Sequence, residues 1–254
     1  MAKRERYHLI DFIRGLTLIS MIIYHACWDL VFLFGTNLQG YTGLGGFIWQ
    51  QSICWSFILL SGFCANLGKS QYKRGLEVSL AGILITVITV IFMPNAVIWW
   101  GVLTLIGSGM LFTRAFQNIL NKISGVAGII ISFILFILCR WTDLGFIGIR
   151  GFMVIFLPEV LYRNKLTAYF GFSPENFFST DYFPLIPWLF LYLTGYFLYR
   201  VLQLKIEHNR AELPKIFCFS VFKPIEFLGR HSLLIYMLHQ PVIYIVLTAL
   251  APKK

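Results

Sequence analysis

The stretch Leu9 to Phe34, LIDFIRGLTLISMIIYHACWDLVFLF, decides the fold. It is apolar along almost all of its length and exceeds the ~20 residues that carry an α-helix across the ~30 Å hydrocarbon core of a bilayer. Within it stand Asp11, Arg14, His25 and Asp29. His25 and Asp29 are four residues apart, about one helical turn, so they share a face. An ionisable group inside a bilayer is costly enough to mark function by default. The basic start that precedes this stretch, Met1 to Tyr7, resembles that of a signal peptide. The apolar run is too long for a signal-peptide core and carries charges, so it reads as a retained first helix.

Six further windows have the same character: Phe47 to Leu67, Leu76 to Met93, Ile98 to Phe116, Ser124 to Cys139, Phe183 to Leu202 and Ser232 to Leu250. Hydrophobic residues make up 58% of the chain and charged ones 13%. A soluble domain carries about a quarter charged residues, so a soluble class is excluded. The expected fold is all-α: a polytopic integral membrane helix bundle of about seven transmembrane helices, forming one domain over residues 1–254 with no repeat or long linker.

Charge orients the bundle, because cytoplasmic loops are enriched in Lys and Arg. With the amino terminus cytoplasmic, the inner side collects Lys3, Arg4, Arg6, Arg14, Lys69, Lys73, Arg74, Arg114, Lys122, Arg200, Lys205, Arg210, Lys215, Lys223 and Arg230. The outer side keeps Arg140, Arg150, Arg163, Lys165, Lys253 and Lys254. Leu144 to Tyr162 is apolar enough to be an eighth span, but that would place Arg150 in lipid and Arg200 to Arg230 outside. It is therefore expected as an outer interfacial or re-entrant helix. Trp49, Trp99, Trp100, Trp141 and Trp188 fall near the expected outer helix ends, where indoles prefer the interface. The net charge of +10 reflects basic loops facing anionic lipid. No compact basic domain points to nucleic acid. Cys27, Cys54, Cys64, Cys139 and Cys218 read as packing residues, with no CxxC pair to suggest a metal.

Depth sorts the residues that could carry chemistry. At ~1.5 Å per residue, His25 lies ~16 Å beyond Arg14, Asp29 is one turn further, and His239 lies ~13 Å beyond Arg230. Pro241 removes a helix hydrogen bond just after His239. A histidine is the natural general base near neutral pH, and a carboxylate can orient it and stabilise its charged form. The bland alternative for each histidine is a hydrogen bond across the bundle, and it prevails for His8, His208 and His231 near the inner surface. Asp11 and Arg14, three apart, read either as an interfacial ion pair or as leaving Arg14 to bind phosphate. A basic segment such as Arg200 to Arg230 suits lipid headgroups first, and the aromatic segment Trp141 to Tyr182 suits a lid over an embedded cavity.

Asp11 to His25, DFIRGLTLISMIIYH, resembles the first-helix signature of the heparan-alpha-glucosaminide N-acetyltransferase family and of the wider transmembrane acyltransferases. WWGVLTLIGSG (Trp99 to Gly109), DYFPLIPW (Asp181 to Trp188) and LGRHSLLIYMLHQP (Leu228 to Pro241) follow in family-like order. The resemblance implies acetyl transfer from acetyl-CoA on the cytoplasmic side to an amine or hydroxyl of a sugar or glycan outside. It implies His25 at the reaction centre and Arg14 beside the donor. One departure is that the loop Gly35 to Gly46, GTNLQGYTGLGG, has no histidine where the lysosomal-type enzyme carries one. The chain is also expected to lack that enzyme's additional helices and luminal domain.

A thioester donor needs no metal or redox cofactor. The enzyme must align donor and acceptor, remove a proton and stabilise the oxyanion. The expectation is therefore a multi-pass plasma-membrane acetyltransferase with His25, Asp29 and His239 catalytic. His25 deprotonates the acceptor, Asp29 holds the acceptor or the imidazolium, and His239 contributes a hydrogen bond near the thioester. Arg14 holds the acetyl-CoA phosphates. Its partners would be the acyl-CoA donor, the glycan acceptor and the bilayer, and a homodimer is an open option. Two other classes use the same residues. A proton-coupled transporter would employ His25, Asp29 and His239 as a relay, and a cytochrome would employ His25 and His239 as axial haem ligands, against which their differing estimated depths argue.

Overall fold

The computed structural model describes residues 6–68, 70–149, 151–206 and 210–250. Lys3, Arg4, Lys69, Arg150, His208, Lys253 and Lys254 lie outside the described residues, as do the side chains of Lys205 and Arg210. The helices are α1 (His8–Phe32), α2 (Leu44–Cys64), α3 (Gln71–Phe92), α4 (Val102–Ala115), α5 (Gln117–Leu120), α6 (Gly125–Leu138), α7 (Leu185–Leu202), α8 (Lys223–Arg230) and α9 (Ser232–Leu250). Two short antiparallel hairpins accompany them, β1 (Phe146–Ile149) with β2 (Phe152–Phe156), and β3 (Leu204–Ile206) with β4 (Arg210–Glu212). Among the described residues six helices are long and apolar enough to cross a membrane: α1, α2, α3, α6 with the 3-10 turn that prolongs it to Leu144, α7 and α9. The protein is an all-α polytopic membrane helix bundle.

The seventh expected span is shorter than its sequence window. α4 has 14 residues, or ~21 Å of helix, because residues 97–101 are held out of the helix by the segment 179–183. Thr180 N–H donates to Val97 O at 3.1 Å and Phe183 N–H to Trp100 O at 2.9 Å. Ser179 Oγ lies 3.0 Å from both the N–H and the O of Trp99. Asp181 Oδ2 then accepts the N–H of Val102 at 3.3 Å, satisfying one of the donors that a helix start leaves open. Trp100 sits at φ 54°, a left-handed conformation uncommon outside glycine.

Leu144 to Tyr162 does not form the expected interfacial or re-entrant helix. Gly145, at φ 88°, ends the preceding helical turn in the left-handed region that glycine reaches without a steric penalty. The following residues, FIGI and FMVIF, are the aromatic and β-branched types that suit a pleated surface. They pair from Phe146↔Phe156 to Ile149↔Phe152, with an irregularity at Ile147/Gly148.

By internal contacts the chain forms two compact units, residues 1–57 with 203–254, and residues 58–202. In the first, α8 lies antiparallel on the first turns of α1. A Cβ on Gly229 would fall 1.8 Å from Asp11 O, and one on Gly15 2.0 Å from Ile225 O. Only glycine at both positions lets the two backbones touch. α9 then returns parallel to α1, and Leu18, Met21 and Ile53 form a buried core with Trp49, Phe57, Leu228, Ile235 and Tyr236 around it. The second unit is built on α7, whose apolar window is 61% buried. Tyr192, Tyr196 and Leu191 are buried almost completely.

Candidate active site

All four sequence-designated residues belong to the first unit, at two levels of α1. At the lower level Asp11 gathers three guanidinium groups. Arg6 Nε lies 2.8 Å from Asp11 Oδ2, Arg230 Nε 3.8 Å from the same oxygen, and Arg14 Nη1 3.8 Å from Asp11 Oδ1. Arg14 Nη1 also donates to Gly229 O at 3.5 Å. The ion pair expected between Asp11 and Arg14 is thus part of a larger cluster; Arg230 Nη2 also lies 3.6 Å from Glu226 Oε2, so three arginines meet two carboxylates and one positive charge is left in excess among the described residues. Beside it Glu226, fully buried, accepts from Ser220 Oγ at 2.6 Å and meets His8 Nδ1 at 2.8 Å. The Ser220 hydroxyl, foremost, holds the Glu226 carboxyl below the usual carboxylate range.

The upper level brings α1 and α9 together. The rings of His25 and His239 touch, with centroids 4.9 Å apart and planes inclined by 56°. The difference in depth expected from residue counting is not present. Direct ring contact leaves no slot for a porphyrin plane, so the pair does not fit axial haem ligation.

Asp29 does not bond His25 among the described residues. Its Oδ1 accepts from Gln240 Nε2 at 2.6 Å, across from α1 to α9. Asp29 is fully buried, and its Oδ2 and the Oε1 of Gln240 make no hydrogen bond among the described residues. His239 Nδ1 is bonded to the carbonyl of Tyr236. A carbonyl only accepts, so Nδ1 carries the proton and Nε2 is left as a lone pair. That Nε2 is buried and without a partner among the described residues. Neutral His239 therefore presents an acceptor, so the hydrogen bond expected of it is one that it accepts. With Asp29 Oδ2 and Gln240 Oε1, the cluster offers three acceptors to whatever brings N–H or O–H groups.

Sequence reading missed Gln240, although it stands in the quoted HQP triplet beside His239, and it missed two tyrosines. Tyr24 sits next to His25, with centroids 5.9 Å apart. The loop after α1 folds back so that Tyr41 donates to Tyr24 O at 3.0 Å, and Tyr24 packs edge-on against Trp49 at 5.3 Å. Burial, chiefly, pushes the Tyr41 hydroxyl well above its usual range, so it stays a protonated donor. Among the described residues no three His, Cys, Asp or Glu side chains come together as a metal site.

No curated protein and no solved structure matches the chain significantly. The family model for the heparan-alpha-glucosaminide N-acetyltransferase catalytic region matches residues 6–241, a range that contains Arg14, His25, Asp29, His239 and Gln240. With six long apolar helices and a family match over most of its length, the chain belongs to the heparan-alpha-glucosaminide N-acetyltransferase catalytic family of membrane acetyltransferases.

Proposed function

We propose that the protein moves an acetyl group from acetyl-CoA, supplied from the cytoplasm, to an amine or hydroxyl of a sugar or glycan on the far side of the plasma membrane. The observation that carries this reading is the fully buried Asp29, bonded through one oxygen to Gln240, in one cluster with His25 and His239. The acceptor's N–H or O–H groups would satisfy Asp29 Oδ2 and Gln240 Oε1, which fixes the nucleophile in place. His25, whose ring makes no hydrogen bond among the described residues, takes the acceptor's proton as the nucleophile attacks the thioester carbon. The C–S bond breaks, and the proton passes to the departing CoA thiolate. His239 Nε2 is a second acceptor that holds acceptor hydrogens or the His25 imidazolium. The one positive charge by which Arg6, Arg14 and Arg230 exceed Asp11 and Glu226 supports the binding of CoA phosphates at the other end of the same helix stretch.

The test is transfer of labelled acetyl from acetyl-CoA to a panel of amino sugars and neutral sugars by the protein reconstituted in liposomes. The expected result is label on an amino sugar. Acetyl-CoA binding without transfer to any member of the panel would overturn the sugar acceptor. Absence of acetyl-CoA binding would overturn the donor and direct attention to proton-coupled transport through the same cluster.

A further inference from the structure

The β1/β2 hairpin exposes more apolar surface than any other non-helical segment described. Phe152, Met153, Val154, Ile155 and Phe156 are 84%, 54%, 70%, 53% and 72% exposed. Successive strand residues point to opposite faces, so Phe152, Val154 and Phe156 leave by one face and Met153 and Ile155 by the other. A sheet packed on its own protein shows one covered apolar face and one polar face. A docking partner likewise covers a single face. Here both faces of β2 are apolar and both are uncovered, which calls for an apolar medium that surrounds the strand. From Phe146 to Leu157 the sequence holds a single ionisable residue, Arg150.

Position supplies the medium. The hairpin begins two residues after Leu144, where a run long and apolar enough to span a membrane ends, so its base lies at a bilayer boundary. That base is tied down: Leu157 N–H donates to Gly145 O at 2.8 Å, and the Tyr162 hydroxyl bonds the carbonyl of Thr142. Depth is bounded in turn, because among the described residues each strand pairs only with the other and leaves open backbone edges that the hydrocarbon core does not tolerate. Headgroups and interfacial water can satisfy those edges.

We propose that the β1/β2 hairpin is a membrane-seated paddle. Its β2 side chains insert on both faces into the headgroup and acyl boundary of the leaflet at the Leu144 end of α6. The ligand is a phospholipid surface engaged through apolar contact, so zwitterionic lipid suffices. This assignment is independent of the catalytic reading.

The experiment uses full-length protein with its native cysteines replaced, in phosphatidylcholine nanodiscs. A single cysteine at Val154 or at Met153 carries an environment-sensitive fluorophore, and a third version at exposed Glu175 serves as the aqueous reference. Both hairpin labels are expected to emit to the blue of the reference and to be several-fold less quenched by iodide. Both should be quenched more strongly by lipids doxyl-labelled near the headgroup than by lipids labelled deep in the chain. Iodide quenching equal to the reference would overturn the proposal in favour of a water-exposed lid. Protection at Val154 alone, or protection that persists without lipid and depends on protein concentration, would overturn it in favour of a second protein surface or a second copy.

Discussion

His25 was legible in the sequence because an ionisable neighbour stood one turn away, and Arg14 because a lone guanidinium stood close to a membrane surface. Gln240 was not, since an uncharged amide in an apolar helix raises little alarm and its partner Asp29 lies 211 positions away. His25→Ala is expected to cut acetyl transfer by ~100-fold to ~10,000-fold, the range for loss of a general base, while acetyl-CoA binding is retained. Turnover at the wild-type level in that variant would remove His25 from the mechanism. Asp29→Asn keeps an oxygen for Gln240 but loses the negative charge, so KM for an amine acceptor should rise more than kcat falls. An unchanged KM, measured by steady-state kinetics, would return Asp29 to a purely structural role. Arg14→Ala should weaken acetyl-CoA far more than a truncated pantetheine thioester, measured by equilibrium binding of each. Equal losses would leave Arg14 as a structural partner of Asp11.

At the scale of elements, the RG step at Arg14 and Gly15 has a packing meaning that periodicity did not disclose. Gly15 and Gly229 bring α8 onto α1 by backbone contact, which sets Arg230 beside Asp11 and starts α9 at the right level for His239 to meet His25. Gly229→Ala would force a Cβ to within 1.8 Å of Asp11 O, and overpacking of this kind costs about 1–3 kcal/mol. Thermal unfolding in detergent should show Tm lowered by several degrees, with weaker acetyl transfer from misplaced His239. Unchanged Tm and activity would show that the close approach is dispensable. The helix windows were readable from apolar runs, whereas the late start of α4 was not, because the clasp of Ser179, Thr180 and Asp181 on residues 97–101 comes from a segment some eighty positions downstream.

For the whole molecule, the basic residues number fifteen on one proposed side and six on the other, and on that count we propose that Gly35 to Gly46 and Trp141 to Tyr182 face outward and Arg200 to Arg230 faces the cytoplasm. Single cysteines in these segments, probed in intact cells with an impermeant thiol reagent, should label the first two and spare the third. Labelling of the Arg200 to Arg230 segment would overturn the orientation. The sequence by itself determined the class of the molecule, because long apolar helices are a property of local composition and a bilayer demands them. It also determined the family, through motifs that are local in the chain. Only the tertiary structure decided which polar groups meet. His25 with His239 and Asp29 with Gln240 are contacts between α1 and α9, created by the reversal through α8, and no pattern within either helix encodes them. The conversion of Leu144 to Tyr162 into a hairpin was decided the same way: its composition suited helix and strand alike, and the left-handed stop at Gly145 and the pairing of β1 with β2 resolved it.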